Sequence, residues 1–249
     1  MARIILLFTM LFSIHFVSGQ PFNQTDSLGR KIGLWKKVYS NGKIRYQGEF
    51  DKDIPKGTFK YFNANGQLTS TLLYSKDGKY AQVKMFTTNG KITAKGIYHN
   101  QKKDSTWLIY RQSNDSIMAE ENYRDGIKNG RWLIYFDNGQ ISSEINWKDD
   151  VKHGSWNEYF KNGIKSLSAN YKDGKLDGNY SQYSYDGKLL KQGKYVNGKA
   201  DGVWKEYDEK GTITNINKYN KGWLAVEETY EKGVLKRTID HRLKPKIKK

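Results

Sequence analysis

The strongest constraint on the fold is a repeat of 24 residues. In most copies a small residue, usually glycine, precedes a bulky residue by two positions, as Gly154 precedes Trp156. A fixed period of this length indicates an array of stacked copies, because one copy is too small to bury its own apolar face. Such an array offers an extended surface and favours binding over catalysis. Eight copies begin at Gly33, Gly57, Ala81, Ser105, Gly130, Gly154, Gly178 and Gly202.

Each copy is predicted to fold as a β-hairpin. In one copy an aromatic-rich strand, 154–160, leads to Asn162-Gly163, and a second strand, 164–171, leads to Asp173-Gly174. Both pairs mark tight turns, because Asn, Asp and Gly accept the positive φ that such turns require. We therefore predict an all-β fold, an elongated antiparallel β-hairpin repeat array forming an open or curled sheet.

The second strand of each hairpin alternates large apolar and polar residues. Ile44, Tyr46, Gly48 and Phe50 share one face, and a small residue recurs near the middle of that face in other copies. Period two is typical of a half-buried strand. The small central residue is predicted to leave room for a large ring from the neighbouring strand.

The first strand is less regular. Tyr135 follows Trp132 by three positions, and the same spacing recurs in the other copies. Strict alternation would place the two rings on opposite faces. Either a β-bulge re-aims one of them, or both faces carry aromatic residues. Both alternatives are open from the sequence.

The bulky residue that follows each repeat glycine is the candidate contact residue of its copy. We expect these rings to be mainly structural, since large aromatic side chains supply most of the apolar area of a thin sheet. Those that stay exposed would become binding contacts. The set is Trp35, Phe59, Trp107, Trp132, Trp156, Tyr180 and Trp204.

The periodicity also predicts the organisation of the chain. Residues 33–222 hold the repeats, 20–32 are expected to be an N-terminal linker, and 223–240 a degenerate capping hairpin. Residues 241–249 form a basic tail. Residues 1–19 are predicted to be a signal peptide.

The N-terminal segment predicts export. Arg3 provides a basic start, residues 4–17 are largely apolar, and Ser18 and Gly19 offer a cleavage site before Gln20. A membrane anchor is the alternative, but this stretch is shorter than the ~20 residues needed to span a bilayer. We expect a periplasmic, envelope or extracellular protein. With no cysteine it can form neither disulfides nor thiolate metal sites.

The net charge of +17 favours anionic partners such as phospholipid or cell-wall glycan. The alternative is that lysines at turns and edges only keep the sheet soluble and block edge pairing. Nucleic acid is not expected, because export would separate the chain from it. The candidate anionic-surface contacts are Lys244, Lys246, Lys248 and Lys249.

The segment 195–207, Tyr-Val-Asn-Gly-Lys-Ala-Asp-Gly-Val-Trp-Lys-Glu-Tyr, resembles the MORN-repeat variant family of bacterial proteins, and a related segment begins at Tyr171. The resemblance covers most of 33–222 and implies an antiparallel hairpin array. Many members of that family are labelled antitoxins of toxin–antitoxin pairs. MORN repeats more widely are associated with lipid binding, scaffolding and dimerisation. An exported member would need an envelope or secreted toxin as its target. Choline-binding and glucan-binding wall repeats are a weaker likeness, with shorter repeats.

No catalytic pattern accompanies the repeats. His99 and His153 lie at turns of different copies without a partner at metal-binding spacing, and no nucleophile elbow or phosphate loop is present. We predict a non-catalytic scaffold without a cofactor or metal that binds an unidentified protein, and an antitoxin-like immunity protein is one form of this role. A binder of anionic lipid or glycan is the alternative, and a homodimer is another.

Overall fold

The computed structural model describes residues 21–243, which form one antiparallel sheet of 21 strands without an α-helix. The strands are β1 Gln24–Thr25, β2 Lys31–Val38, β3 Ile44–Asp51, β4 Ile54–Phe62, β5 Leu68–Tyr74, β6 Tyr80–Phe86, β7 Ile92–His99, β8 Lys102–Tyr110, β9 Ile117–Arg124, β10 Ile127–Lys128, β11 Gly130–Tyr135, β12 Ile141–Lys148, β13 Val151–Tyr159, β14 Lys165–Lys172, β15 Lys175–Leu176, β16 Gly178–Tyr183, β17 Leu189–Val196, β18 Lys199–Tyr207, β19 Ile213–Asn220, β20 Trp223–Glu231 and β21 Val234–Asp240. The predicted all-β hairpin array is confirmed.

The sheet is a meander in which each strand pairs with its neighbours in the chain. The short strands β10 and β15 precede β11 and β16 and pair with the same return strands, β9 and β14. Part of the segment expected to be a linker is instead paired, because β1 lies against the start of β2. The Asp26 carboxylate stabilises the turn between them by accepting from the backbone amides of Leu28 and Arg30.

The repeat glycine marks a β-bulge at the start of several hairpins, whereas the third hairpin, which begins at Ala81, pairs regularly with the preceding strand. Between β12 and β13, Ile145 faces Trp156 but Trp147 faces Lys152, so β13 contains two extra residues. Gly154 lies in this bulge with a φ of 91°. Most side chains avoid that conformation, which explains why glycine recurs at this position. In the fourth hairpin Ser105 takes the same place with a φ of 57°.

A second β-bulge precedes the ring three positions after each key residue, and it leaves that ring on the opposite face. In β11 the register shifts immediately before Tyr135. The Tyr135 hydroxyl donates to Glu120 at 2.8 Å, and Glu120 lies directly opposite Leu133, the neighbour of Trp132. Both faces therefore carry aromatic residues, and the bulge does not bring Tyr135 to the side of Trp132. We call the side that carries Trp132 and the equivalent residues the tryptophan face, and the side that carries Leu133 and Tyr135 the back face.

The hydrophobic core is a stripe on the tryptophan face of the N-terminal half. Its rings and methyl groups are covered by neighbouring half-buried side chains such as Tyr46 and Tyr98. Because the described residues form a single layer, burial depends on residues of adjacent strands covering one another. The buried cluster consists of Phe59, Leu72, Ala81, Val83, Ala94 and Trp107.

Residues 21–243 contain no helix that could span a membrane.

Candidate binding surface

Three glycines of the return strands lie directly beneath aromatic rings of the following strand. A methyl group added at any of the three would overlap the ring atoms themselves. Since these glycines do not have positive φ, the reason for glycine is space and not backbone conformation. The prediction that a small central residue accommodates a neighbouring ring is confirmed. The pairs are Gly48 with Phe59, Gly96 with Trp107, and Gly193 with Trp204.

The seven candidate contact residues fall into two groups. Phe59, Trp107 and Trp204 are 2%, 0% and 3% exposed and belong to the core. The other four are half-buried and keep part of their rings at the surface of the tryptophan face: Trp35, Trp132, Trp156 and Tyr180.

The indole N–H groups bind the backbone of the preceding return strand. Trp107 donates to the carbonyl of Ile97 at 3.0 Å, and Trp132 donates to that of Asn122 at 3.0 Å. Each of these bonds satisfies the indole N–H and fixes the orientation of the ring.

Half-buried aromatic pairs continue along the tryptophan face of the C-terminal half. Each pairs the key ring with the last ring of an adjoining return strand. The ring centroids are 5.5 Å apart in Trp132–Trp147, 5.6 Å in Trp156–Tyr171 and 5.6 Å in Tyr180–Tyr195. No second layer covers these pairs within residues 21–243. We call these six rings, which are Trp132, Trp147, Trp156, Tyr171, Tyr180 and Tyr195, the aromatic strip.

Lysines extend across several of these rings. The Lys128 ammonium lies 4.7 Å from the Trp132 centroid and 4.5 Å from that of Trp147. Lys103 and Lys31 make equivalent contacts four positions before Trp107 and Trp35. Such cation–π contacts contribute about 0.5–1 kcal/mol each at exposed sites. The recurrence of lysine at this offset was a signal in the sequence that we did not use.

Hydrogen bonds between the turns tie each repeat to the next. The side-chain amide of Asn41 donates to the carbonyl of Ala64 at 2.8 Å, and Asn162 donates to that of Tyr185 at 2.9 Å. The asparagine of the Asn-Gly turn therefore has two roles, since it also accepts from an amide of its own turn. This ladder holds neighbouring repeats at a fixed spacing.

The back face has a polar network at its centre. Glu144 accepts from Arg131 at 2.6 Å and from the Tyr159 hydroxyl at 3.3 Å. Burial and the hydrogen bond to Glu120 raise the pKa of Tyr135 to about 12, so this phenol is protonated at neutral pH. All of these groups are satisfied by one another, which indicates a structural role.

The concavities of the sheet are shallow and lack catalytic groups. Three depressions of about 300 to 340 Å³ surround Gly48, Gly96 and Gly193 and are lined mainly by amides, hydroxyls, lysines and aliphatic side chains. Within residues 21–243, no three His, Cys, Asp or Glu side chains are grouped closely enough to hold a metal ion.

The histidines considered above lie at the turn edge. His99 contacts Asp125 at 2.8 Å, and His153 contacts Asp173 at 3.5 Å, each across to the next repeat. Neither pair adjoins a nucleophile. The four tail lysines Lys244, Lys246, Lys248 and Lys249 lie outside the described residues.

The repeat pattern matches a known family of repeats. The sequence profile of the MORN repeat variant matches residues 31–52, 55–76, 128–149 and 176–197. Each match covers most of one hairpin, for example β2 with β3. Among curated proteins, none matches the chain. Repeats of this family generally serve as non-catalytic binding units. The four matches show that the hairpin array of this chain contains MORN-variant repeats.

Proposed function

We propose that this protein is an exported, non-catalytic scaffold that binds another protein along the aromatic strip. The observation that carries the proposal is the row of half-buried aromatic pairs on β11–β17, over which the described residues place lysine side chains but no second layer. Contiguous apolar patches of this kind mark interaction sites, and tryptophan and tyrosine are enriched in the energetically dominant parts of protein interfaces.

The two halves of the tryptophan face differ in a way that favours this location. In the N-terminal half Phe59 and Trp107 are covered by their neighbours and form the core. In the C-terminal half Trp204 is buried as well, but Trp132, Trp156 and Tyr180, at equivalent positions, remain partly accessible. A protein surface placed on these rings would bury apolar area that the sheet itself leaves in contact with water.

Lysines define one margin of the aromatic strip. Lys128 and Lys152 lie over the rings of Trp147 and its neighbours, so the strip combines aromatic contacts with positive charge. This arrangement favours a partner with an apolar centre and acidic groups at its margin. An immunity-like role against an envelope or secreted toxin is consistent with such a surface.

Site-specific photo-crosslinking tests the location. Benzoylphenylalanine placed at Trp156 keeps a ring on the aromatic strip, and the same residue at Asn157 is the matched control on the back face. We expect a protein adduct, in cells that express the full chain at native level, at position 156 and not at 157. Adducts only at 157, or equally at both, would contradict the proposal. Adducts between two copies would indicate a homodimer and count against a separate partner.

Export is a separate part of the proposal and needs its own test. The basic Arg3, the apolar stretch 4–17 and the small residues Ser18 and Gly19 support it. We expect N-terminal sequencing of protein from the envelope or medium to begin at Gln20. Accumulation of the chain in the cytosol with Met1 or Ala2 at its N-terminus would refute export but would leave the crosslinking result standing.

A further inference from the structure

The pairing registers bring together a line of lysines on the back face that is scattered in the sequence. Lys36 on β2 lies opposite Gln47, and Gln47 lies opposite Lys60 on β4. Lys60 lies opposite Thr71, which in turn lies opposite Lys84 on β6. Lys84 lies directly opposite Lys95 on β7. We call Lys36, Lys60, Lys84 and Lys95 the lysine row.

The lysine row has a regular geometry. Strands are about 4.8 Å apart, so Lys36, Lys60 and Lys84 follow one another at about 10 Å, and the whole row extends about 24 Å across the strands. Beyond β7 the same line continues through Leu108 to Glu120 and changes sign. The run of lysines in this line therefore ends at β7.

The described chain provides these lysines with no carboxylate partner. None of the four is among the ion pairs of residues 21–243; Lys36 instead lies over the ring of Phe22, and Lys95 over that of Tyr110. Like charges placed directly opposite on adjacent strands destabilise a sheet, as Lys84 and Lys95 do here. An anionic ligand bound between them would remove that repulsion.

The rows beside the lysines indicate which anion fits. On one side the equivalent positions of β2, β4 and β6 hold Leu34, Thr58 and Gln82, and in the same row Glu49 on β3 is paired with Lys56. On the other side they hold rings, of which Tyr110 contacts Lys95 and Phe86 is half-buried. A flat membrane would meet charge over an area, whereas the four lysines of the row lie along one line with rings beside it. Carboxylates spaced along a chain would match the lysines, and the apolar faces of sugar rings would pack on the aromatic row.

We propose that the lysine row binds a linear acidic polysaccharide that runs across strands β2–β7 on the back face. This site is independent of the aromatic strip, because it lies on the other face and at the other end of the sheet. The chain would then display a protein-binding face while its back face attaches to an acidic glycan.

A charge-matched pair of variants tests the proposal with the full chain. Lys84→Gln with Lys95→Gln removes two members of the row. Lys194→Gln with Lys205→Gln removes the same charge from the back face at the other end of the sheet. Neither Lys194 nor Lys205 belongs to an ion pair of the described residues. Because the first pair also removes a repulsion, we expect its melting temperature to equal or exceed that of the wild type.

The probe is polygalacturonate, with neutral dextran as its control, and vesicles of phosphatidylglycerol in phosphatidylcholine as the competing anionic surface. We expect polygalacturonate to bind, the Lys84→Gln/Lys95→Gln chain to bind roughly 30-fold more weakly, and the control pair to bind within about twofold of wild type. Equal losses in both pairs would refute a local site. Binding to vesicles without binding to polygalacturonate would replace the polysaccharide with a membrane surface, and no binding at low salt would refute the lysine row as a site.

Discussion

The contact between Gly96 and Trp107 is the part of the core that leaves the least room for a larger side chain. Trp107 is fully buried, and its indole donates to the carbonyl of Ile97 at 3.0 Å. A Cβ at position 96 would overlap the shared bond of the indole ring and not the end of a flexible chain. In Gly96→Ala the ring must therefore move or the two strands must separate.

The size of the effect follows from what the ring loses. Overpacking a core costs about 1–3 kcal/mol when the ring stays, and displacement of a buried tryptophan approaches the ~3–5 kcal/mol of its removal. The weakened indole hydrogen bond adds about 1 kcal/mol. Part of this loss is offset, because alanine in a strand is more stabilising than glycine by about 0.5–1 kcal/mol. We expect Gly96→Ala to lower the free energy of unfolding by about 3 kcal/mol, or the melting temperature by roughly 6–12 °C.

A double-mutant cycle separates this steric cost from other effects of alanine. In a Trp107→Ala background the space beneath the ring is empty, so Gly96→Ala is expected to be neutral or slightly stabilising. Thermal and urea unfolding followed by circular dichroism measure all four chains, and tryptophan fluorescence reports the movement of the ring. An equal penalty in both backgrounds, or a wild-type melting temperature for Gly96→Ala alone, would refute the close ring–glycine contact.

The remaining predictions concern the backbone, the lysines and pH. Ser105→Gly is expected to raise the free energy of unfolding by up to about 1 kcal/mol, because Ser105 holds a φ of 57° where other hairpins have glycine; a decrease in urea unfolding would contradict this. Lys128→Gln is expected to cost about 1 kcal/mol and to shift tryptophan emission, because the cation leaves the rings of Trp132 and Trp147; unchanged emission would show that the ammonium is not over them. The pKa of Tyr135 in the folded state, about 12, exceeds the ordinary tyrosine value of 10.0, so its stabilising contribution is full below pH 10 and is lost between about pH 10 and 12. Tyr135→Phe should therefore lose less stability across that range than wild type, and identical alkaline melting curves would refute it.

Local chemistry explains why much of the fold was predictable. The hairpins followed from Asn-Gly and Asp-Gly pairs, whose turn preference depends on the residues themselves. The space beneath Trp107 was predictable because the alternation of the return strand by itself identifies Gly96 as the small residue on the apolar face. Family resemblance and period led to the same single-sheet array.

The binding surfaces were less predictable, because they depend on how strands align. A period-two count cannot show whether a bulge intervenes, and only the register shows that Tyr135 stays on the face opposite Trp132. The candidate rings have equivalent positions in sequence, yet Trp107 is buried and Trp156 is half-buried. That difference arises from the side chains that neighbouring strands place around each ring.

The sequence by itself determined the repeat, the turns and the glycines beneath Phe59, Trp107 and Trp204, since these depend on contacts within a hairpin or between adjacent copies. Only the tertiary structure decided which side each row of side chains occupies and which rows join across the sheet. Lys84 and Lys95 are eleven residues apart in the chain but directly opposite in the ladder. The physical reason is that register is set cooperatively by hydrogen bonds and bulges along paired strands, so a surface that crosses many strands is defined only when all of them are aligned.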